Sequence, residues 1–362
     1  MKTTLNPLKH FVNASLFNNS SATDWLAPVI QLRRPGWQPG LFRCDVKSKQ
    51  LINQQVLQLR LKPAANWPGF TPGQHIELNT EIEGRQQSRT FTISSSLSLW
   101  HQEGEIQLTI RCHQDGKFTP HLLSAVSPGD RLYISEAKGT FFPNADSTPL
   151  LLIAGGTGIT PFASFLNDQV KSAAPVTLLH FAPTAGNHLF SQQFTELAQR
   201  SPQFRYLPLS TQEHGYLSSE ILRQHLSPNG NDRIMVCGPD GLMKQARKLA
   251  EAAGIAADNV VTEAFSLTID SLESGAAPAI AVSQNGISQR VQPAQADTLL
   301  NQLESAGVAI RSGCRMGVCH QCSCLKKSGT VVNLLTGKTS GPGEERIQAC
   351  ISQAQTQIEL SL

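Results

Sequence analysis

Short alternating segments follow the first forty residues and predict an antiparallel β domain. Between about 41 and 145, six segments alternate apolar and polar positions or are rich in branched and aromatic residues: FRCDVKSKQLI, QVLQLRLKP, QHIELNTEI, RTFTISS, EIQLTIRC and DRLYISEA. Gly and Pro separate these segments at short intervals, which is typical of antiparallel barrels and sandwiches. One short helix is predicted at about 119–124, with Thr119 as its N-cap.

From about 149 to 265 the pattern changes to short apolar runs separated by helical segments. The runs are PLLLIA, VTLLHF, FRYLPL, DRIMVCG and NVVTEAF. The helical segments are PFASFLNDQVKSA, FSQQFTELAQRS, SSEILRQHLS and GLMKQARKLAEAA. Because parallel strands need long crossover connections, which are usually helices, this alternation predicts an α/β domain with a parallel sheet.

A third pattern occupies residues 278–362. AIAVS, an Asn285-Gly286 turn and ISQRV predict a β-hairpin, and a helix through LLNQLES follows with Asp297 as its cap. The chain closes on a predicted strand, IELSL. These elements predict a small α+β domain behind a linker rich in Ser, Gly and Ala. Residues 1–38 show no clear period and are predicted to be an amino-terminal extension that docks on the rest.

Composition narrows the function classes. The chain of 362 residues is 40% hydrophobic, which excludes wholesale disorder, and its net charge of +3 comes without any basic run. We therefore expect no nucleic-acid partner. No apolar stretch reaches 18 residues and the start has no continuous apolar segment, so neither a spanning helix nor a secretory signal is expected. We expect a cytoplasmic location, with membrane association through the acceptor protein.

The cysteines carry the densest chemistry. Five of the eight lie within the last 50 residues, which favours a metal site in a reducing compartment over a disulfide framework. Cys314, Cys319 and Cys322 form C-x4-C-x2-C, and Cys350 follows; this is the spacing of plant-type [2Fe–2S] ligands. Zinc is the alternative, although zinc sites usually pair two short knuckles or use His. Cys324 is the ambiguous thiol, and the spacing favours Cys322 over it.

The cysteine segment resembles plant-type ferredoxins, which have a β-grasp fold, and the two preceding domains resemble the ferredoxin–NADP reductase superfamily. The order of domains is similar to that of phthalate dioxygenase reductases. The segments CRMGVCHQC, GTVVNLLTG and ERIQACIS resemble most closely the reductase partners of membrane-bound fatty-acid desaturases. This resemblance implies an FAD-binding barrel at 39–146, an NAD(P)-binding α/β domain at 147–268 and a [2Fe–2S] domain at 278–362. The extension at 1–38 and the linker at 269–277 are predicted from their own residues.

Two motifs resemble the flavin site of that superfamily. One matches R-x-[YF]-[ST], where Phe stands in place of the more usual Tyr, and the other matches G-x-x-[ST]-x-x-L. The resemblance implies FAD, with FMN as the lesser alternative, and a catalytic position for Thr92 beside flavin N5. The implied flavin-binding residues are Arg89, Thr90, Phe91, Thr92, Gly116, Lys117, Phe118 and Thr119.

A glycine-rich turn follows the first apolar run of the α/β region and predicts a nicotinamide site. A turn of this kind between a strand and a helix lets a phosphate approach the helix N-terminus, and we expect Thr160 and Pro161 to be its cap and first helical residue. The resemblance adds Cys237 near the nicotinamide ring as a catalytic residue, and Phe265 near the flavin. The implied nicotinamide-site residues are Gly156, Thr157, Gly158, Thr160, Pro161, Cys237, Gly238 and Pro239.

The choice between NADH and NADPH stays open. The loop APTAGNHLF has neither Arg nor Asp, which leaves Arg205 and His188 as candidate contacts. The resemblance implies that NAD(P)H gives a hydride to the flavin, and that single electrons then pass through the cluster to a protein acceptor. We expect a fatty-acid desaturase or hydroxylase as that acceptor, with peripheral contact to its membrane. The alternatives are an aromatic-ring dioxygenase or cytochrome P450, and a flavin and iron–sulfur redox sensor without a client.

Overall fold

The structure is a computed structural model, and it describes the greater part of the chain. The described residues are 40–82, 85–112, 117–143, 148–169, 174–227, 231–264, 277–284, 286–293, 297–310, 312, 315, 317, 321–334 and 337–362. The predicted extension and the predicted linker up to residue 276 lie outside them, as do Gly116, Phe265, Cys314 and Cys319. The chain divides into two compact units, one reaching to Lys138 apart from Pro72–Gln74, the other comprising Pro72–Gln74 and Gly139–Leu362.

The first unit is an antiparallel barrel. Its strands are β1 (Phe42–Asn53), β2 (Val56–Pro63), β3 (His75–Ile82), β4 (Arg85–Thr92), β5 (Ile106–Arg111) and β6 (Arg131–Ile134), in the order β4-β3-β6-β1-β2-β5. A bridge between Ile93 and Leu108 joins the two edges of this sheet, which decides for a barrel over a sandwich. Alternate apolar residues such as Leu57, Leu59 and Leu61 point inward and form its core.

Two short helices complete this unit. They are α1 (Leu97–Glu103) and α2 (Phe118–Ser124). The helix predicted at 119–124 is therefore confirmed, but Thr119 is not its N-cap. Lys117 occupies that position and makes no capping bond through its side chain, whereas Thr119 lies inside the first turn and is buried.

The second unit contains the predicted parallel sheet. Its strands are β7 (Leu150–Gly155), β8 (Val176–Ala182), β9 (Phe204–Ser210), β10 (Arg233–Gly238) and β11 (Val260–Ala264), in the order β11-β10-β7-β8-β9. The helices between them are α3 (Thr160–Gln169), α4 (Ser191–Arg200), α5 (Thr211–His214), α6 (Ser219–His225) and α7 (Asp240–Ala252). The sheet runs outward from β7 in both directions, so the crevice between β7 and β10 is a topological switch point, where such folds bind ligands.

The same unit ends in a mixed sheet, β13-β12-β18-β14-β16, and a two-stranded sheet, β15-β17. The strands are β12 (Ile280–Gln284), β13 (Ile287–Val291), β14 (Ser323–Ser328), β15 (Val331–Asn333), β16 (Glu345–Gln348), β17 (Ser352–Ala354) and β18 (Ile358–Ser361). Helix α8 (Leu299–Ser305) packs Leu299, Leu300 and Leu303 into their core. The predicted α+β ferredoxin-type domain is thus confirmed.

The cap of α8 differs from the prediction. Thr298 is the N-cap, and its side chain accepts a hydrogen bond from the Asn301 backbone N–H. Asp297 lies one residue earlier and accepts from the Asn301 side chain instead. Among the described helices, none combines the length and the apolar character that a bilayer crossing requires.

Candidate cofactor sites

The two predicted flavin motifs meet in the barrel. The guanidinium carbon of Arg89 lies 5.7 Å from the centre of the Phe118 ring, and the rings of Phe91 and Phe118 are 6.0 Å apart. Arg89 also donates to the Ser88 carbonyl oxygen at 2.7 Å. Because a cation is attracted to an aromatic face, Phe118 holds the guanidinium in place. Strand β4 and helix α2 therefore place the Arg89 guanidinium, held in one orientation, next to two aromatic rings.

Thr90 and Thr92 lie on the opposite side of β4 from Arg89 and Phe91, because successive strand residues alternate. Thr92 is buried and is paired in register with His75. The hydroxyl oxygen of Thr90 is buried and has no hydrogen-bond partner among the residues that the structure describes. A buried hydroxyl normally has a partner, so this strand fits a bound group with polar atoms, as flavin has.

A lysine fixes the helix of the second flavin motif. The Lys49 ammonium donates to the Leu123 and Val126 carbonyl oxygens, at 2.6 Å each, at the C-terminal end of α2. At the C-terminal end of a helix the last carbonyl oxygens have no N–H partner within the helix, and a cation can supply one. Our sequence reasoning missed Lys49, since it lies on β1, more than 70 positions from its partners.

The glycine-rich turn and the later cysteine motif meet at the switch point of the parallel sheet. Residues 156–159 form a 3-10 turn that leads directly into α3. A Cβ on Gly158 would lie 2.1 Å from the Cys237 carbonyl oxygen, so only glycine allows this approach. Thr160 is already helical and donates through its hydroxyl to the Thr157 carbonyl oxygen at 3.0 Å. The expected N-cap role of Thr160 is therefore wrong.

Cys237 is the penultimate residue of β10 and is fully buried. Burial raises the pKa of its thiol well above the usual value, and the negative charge of Glu263, its neighbour in register on β11, raises that pKa further. The thiol is therefore neutral at physiological pH. The Cys237 sulfur is neutral, shielded from water and next to the glycine turn. Such a sulfur can lie against the uncharged ring of a reduced nicotinamide without repelling it.

The two described members of the predicted cluster ligand set lie close together. Cys322 and Cys350 are each 2% exposed. The Gly317 N–H donates to the Cys350 sulfur at 3.2 Å, and the Cys350 N–H donates to the Cys322 sulfur at 3.4 Å. Backbone donors aimed at thiolates stabilise their negative charge, which is what iron–sulfur ligands require. The donor chemistry thus fits a cluster.

The loop that bears the cysteine motif is tied to helix α8. Arg315 has a left-handed φ of 57° and donates from one guanidinium nitrogen to both carboxylate oxygens of Glu304, at 2.7 Å each. Its other terminal nitrogen donates to the Asn301 side chain at 3.2 Å. Gln348 donates to the Gly317 carbonyl oxygen at 2.6 Å. Arg315 and Gln348 were missed by the sequence analysis, and no spacing rule connects them to these partners.

Cys324 lies in the hydrophobic core of this domain, 4% exposed. It is paired with Ile347 of β16, and burial, with a smaller contribution from Cys322, raises its thiol pKa to about 12. Cys322 precedes the first residue of β14, and Cys324 lies within the strand. This position agrees with the predicted role of Cys324 as a strand thiol.

Comparison with known proteins identifies all three domains. The model of the oxidoreductase FAD-binding domain matches residues 43–142, that of the oxidoreductase NAD-binding domain matches 152–248, and that of the 2Fe-2S iron-sulfur cluster binding domain matches 282–355. The chain belongs to the ferredoxin–NADP reductase superfamily and carries a carboxy-terminal [2Fe–2S] domain. Each match lies inside one predicted domain.

Two relatives and one solved structure resemble this reductase. An NADPH oxidoreductase of Mycobacterium tuberculosis (strain ATCC 25618 / H37Rv) is 28% identical over 337 residues, 92% of this chain and 87% of the relative. The ferredoxin reductase component of 3-ketosteroid-9-alpha-monooxygenase from M. tuberculosis (strain CDC 1551 / Oshkosh) is 28% identical over 276 residues, 72% and 76% of the two chains.

The structure of phthalate dioxygenase reductase aligns with a TM-score of 0.62 at 20% identity, covering 89% of this chain and 98% of that one. It shares the fold. The chain also spans 57–60% of the length of the bacterial flavohemoproteins that it matches. This reductase is therefore an NAD(P)H-dependent electron-transfer oxidoreductase whose cofactors are FAD and a [2Fe–2S] cluster.

Proposed function

We propose that this reductase supplies electrons from NAD(P)H to a membrane-bound fatty-acid desaturase or hydroxylase. The support comes from the segments around the cluster, CRMGVCHQC, GTVVNLLTG and ERIQACIS, which resemble desaturase-partner reductases. In the fold, GTVVNLLTG contributes β15, which pairs with β17. The Leu334 N–H donates to the Ile351 carbonyl oxygen at 2.8 Å, next to Cys350. In this proposal the acceptor meets the half-buried residues 332–334 of this segment, beside the cluster.

The nucleotide end of the pathway is assigned to the switch point of the parallel sheet. In this proposal the turn at Gly156, Thr157 and Gly158 binds the pyrophosphate through its backbone N–H groups. Thr160 and Pro161 begin α3 and support the turn, since the Thr160 N–H already donates to the Thr157 carbonyl oxygen and Pro161 has no N–H. Cys237, Gly238 and Pro239 form the opposite wall, where the buried neutral thiol excludes water from the nicotinamide ring. Phe265, which the resemblance places near the flavin, lies outside the described residues.

The flavin end is assigned to β4 and α2. Arg89 supplies the positive charge for a flavin phosphate, and Phe91 with Phe118 supplies the apolar wall. Lys117 and Thr119 supply polar contacts beside that wall, Thr90 and Thr92 supply theirs from the other face of β4, and Gly116 completes the motif outside the described residues. When bound, FAD converts the electron pair of a hydride into single electrons, which the [2Fe–2S] cluster carries onward. Cys314, Cys319, Cys322 and Cys350 are the proposed cluster ligands.

Reconstitution with candidate acceptors tests the acceptor assignment. The holoenzyme is combined in phospholipid vesicles with a membrane-bound fatty-acid desaturase, and NAD(P)H-dependent formation of unsaturated acyl chains is measured. A Cys322→Ser variant is the control, because it should retain the flavin and support no desaturation. Absence of product with a desaturase that works with another reductase would contradict the proposal.

A second acceptor class has specific support. A named relative is the reductase component of a steroid monooxygenase, and another is the electron transfer component of toluate 1,2-dioxygenase from Pseudomonas putida. The same assay with a ring-hydroxylating dioxygenase or a cytochrome P450 in place of the desaturase distinguishes these acceptors. Faster turnover with one of them than with the desaturase would move the assignment to that class.

A further inference from the structure

A buried histidine of the parallel sheet contacts the glycine-rich turn directly. His180 lies on β8 and is fully buried. Its Nε2 atom lies 3.3 Å from the Gly156 carbonyl oxygen, and its Nδ1 atom lies 3.3 Å from the Tyr206 hydroxyl. Since a carbonyl oxygen can only accept a hydrogen bond, Nε2 carries the proton and donates it to Gly156.

The surroundings of the ring keep it neutral and in this tautomer. Burial, with a smaller contribution from nearby His188, lowers the pKa of His180 to about 3. In a neutral ring Nδ1 accepts, so the Tyr206 hydroxyl donates to it. The Ser191 side chain in turn bonds to the Tyr206 hydroxyl. His188 lies edge-on, with 4.9 Å between ring centres, and bonds through Nε2 to the His180 carbonyl oxygen at 3.0 Å.

The contact with Gly156 determines the orientation of one peptide group. In a trans peptide the carbonyl and the next N–H point in opposite directions. With the Gly156 carbonyl turned toward His180, the Thr157 N–H points away from β8. Gly156 has a φ of 55°, and glycine allows several orientations of this peptide at little cost. His180 removes that freedom in the first turn, whose N–H groups have no partner within the helix.

We infer that His180 is a positioning residue for NAD(P)H, because it holds the Gly156–Thr157 peptide with its N–H directed at the pyrophosphate and its carbonyl directed away from that anion. The inference rests on the proposed assignment of the glycine turn to the pyrophosphate. A reversed peptide would present a carbonyl oxygen to the phosphate and would repel it. Tyr206 and Ser191 act one step further back, because they keep the proton of His180 on Nε2.

Substitution of His180 tests this role through binding and turnover together. His180→Leu should weaken NAD(P)H binding about tenfold, the size of one net hydrogen bond. The rate of flavin reduction at saturating NAD(P)H should stay within about twofold, because positioning acts on binding of the pyrophosphate, not on the ring. His180→Gln should restore much of the affinity through its amide N–H. His101→Ala, an exposed histidine on α1, is the matched control and should change neither value.

Two further measurements separate the inference from the site assignment. Thr157→Glu places a carboxylate in the turn and should abolish tight NAD(P)H binding; unchanged binding would show that this turn is not the pyrophosphate site. If Thr157→Glu weakens binding but folded His180→Leu does not, the positioning role alone is overturned. Nitrogen NMR of the wild-type holoenzyme should show the Nε2–H tautomer of His180 down to pH 5. An Nδ1–H tautomer or a protonated ring would overturn the inference even if His180→Leu fails to fold.

Discussion

A Cβ on Gly158 would lie 2.1 Å from the carbonyl oxygen of Cys237 and 2.4 Å from its carbonyl carbon. The glycine turn and the cysteine motif are therefore in direct backbone contact across the switch point. Neither backbone can yield without moving a strand end, because β7 and β10 are hydrogen-bonded neighbours.

Substitution of Gly158 should damage the nucleotide site selectively. Gly158→Ala must displace the turn, at about 1–3 kcal/mol for overpacking, and should raise the KM for NAD(P)H about tenfold or more. Flavin and iron contents should stay at wild-type values. The matched control is Gly241→Ala in the same domain, where a Cβ meets nothing within 4 Å. Equal KM values for the two variants would contradict the close approach.

Removal of a cluster ligand should separate the two halves of the electron pathway. Cys322→Ser removes a thiolate 2% exposed in the ferredoxin-type domain and leaves the barrel and the parallel sheet untouched. Ferricyanide reduction by NAD(P)H should persist, whereas reduction of cytochrome c should fall by most of its value. Cys112→Ser, a half-buried thiol of the barrel, serves as the control. Loss of ferricyanide activity in a folded, flavin-loaded Cys322→Ser variant would mean that the order of carriers is wrong.

Cys324 should be dispensable for the cluster. The thiol is buried in the core beside Ile347, so Cys324→Ser should lower stability by about 1–3 kcal/mol through a poorly solvated hydroxyl, yet keep the ligand set. The contents of iron and acid-labile sulfide should each stay at about two atoms per chain, as a plant-type cluster requires. The electron paramagnetic resonance signal after reduction is the measurement. Its disappearance in a folded variant would assign Cys324 to the ligands.

Arg315 should protect the cluster through its contacts with Glu304. Arg315→Met removes two hydrogen bonds to that carboxylate and one to Asn301, so Ser312, whose hydroxyl donates to Glu304 at 3.2 Å, is left to hold this segment to α8. We expect the Arg315→Met variant to lose its cluster several times faster than the wild type at 37 °C in the presence of an iron chelator. The decrease in visible absorbance measures this rate. Lys327→Met, which breaks a surface ion pair with Glu344, should bleach at the wild-type rate. Similar rates for both variants would leave Arg315 without this role.

The buried thiols predict a loss of stability at alkaline pH. Burial raises the pKa values of Cys44 and Cys237, while an unfolded thiol ionises near about 8.5. Folding therefore binds a proton that the unfolded chain releases above that pH, and each thiol lowers the free energy of unfolding by about 1.4 kcal/mol per pH unit there. Cys237→Ala should reduce the decline in melting temperature between pH 8.5 and 10. A decline equal to that of the wild type would show that this thiol ionises in the folded state.

The elements that carry the fold were predictable because their signals are local. Alternation in β2 and the apolar run of β7 depend on residues a few positions apart, and the spacing of Cys314, Cys319 and Cys322 is a local property as well. Helix ends were predicted less well. Thr119, Thr160 and Asp297 are all good capping residues, but each lies one or two positions from the cap or inside the helix. The propensity for the N-cap position says which residue types are favoured there. The packing of each helix decides at which residue the helix begins.

The three kinds of domain in this reductase could be read from the sequence, and the segments that face its cofactors could be predicted from it, since periodicity and motif spacing act within one stretch of chain. Which distant groups meet depends on the folded arrangement of the strands. His180 reaches the Gly156 carbonyl because β7 and β8 run parallel in one register, and Lys49 reaches the end of α2 because the barrel places β1 beside it. Such contacts depend on strand order and register across the sheet, which no local pattern encodes.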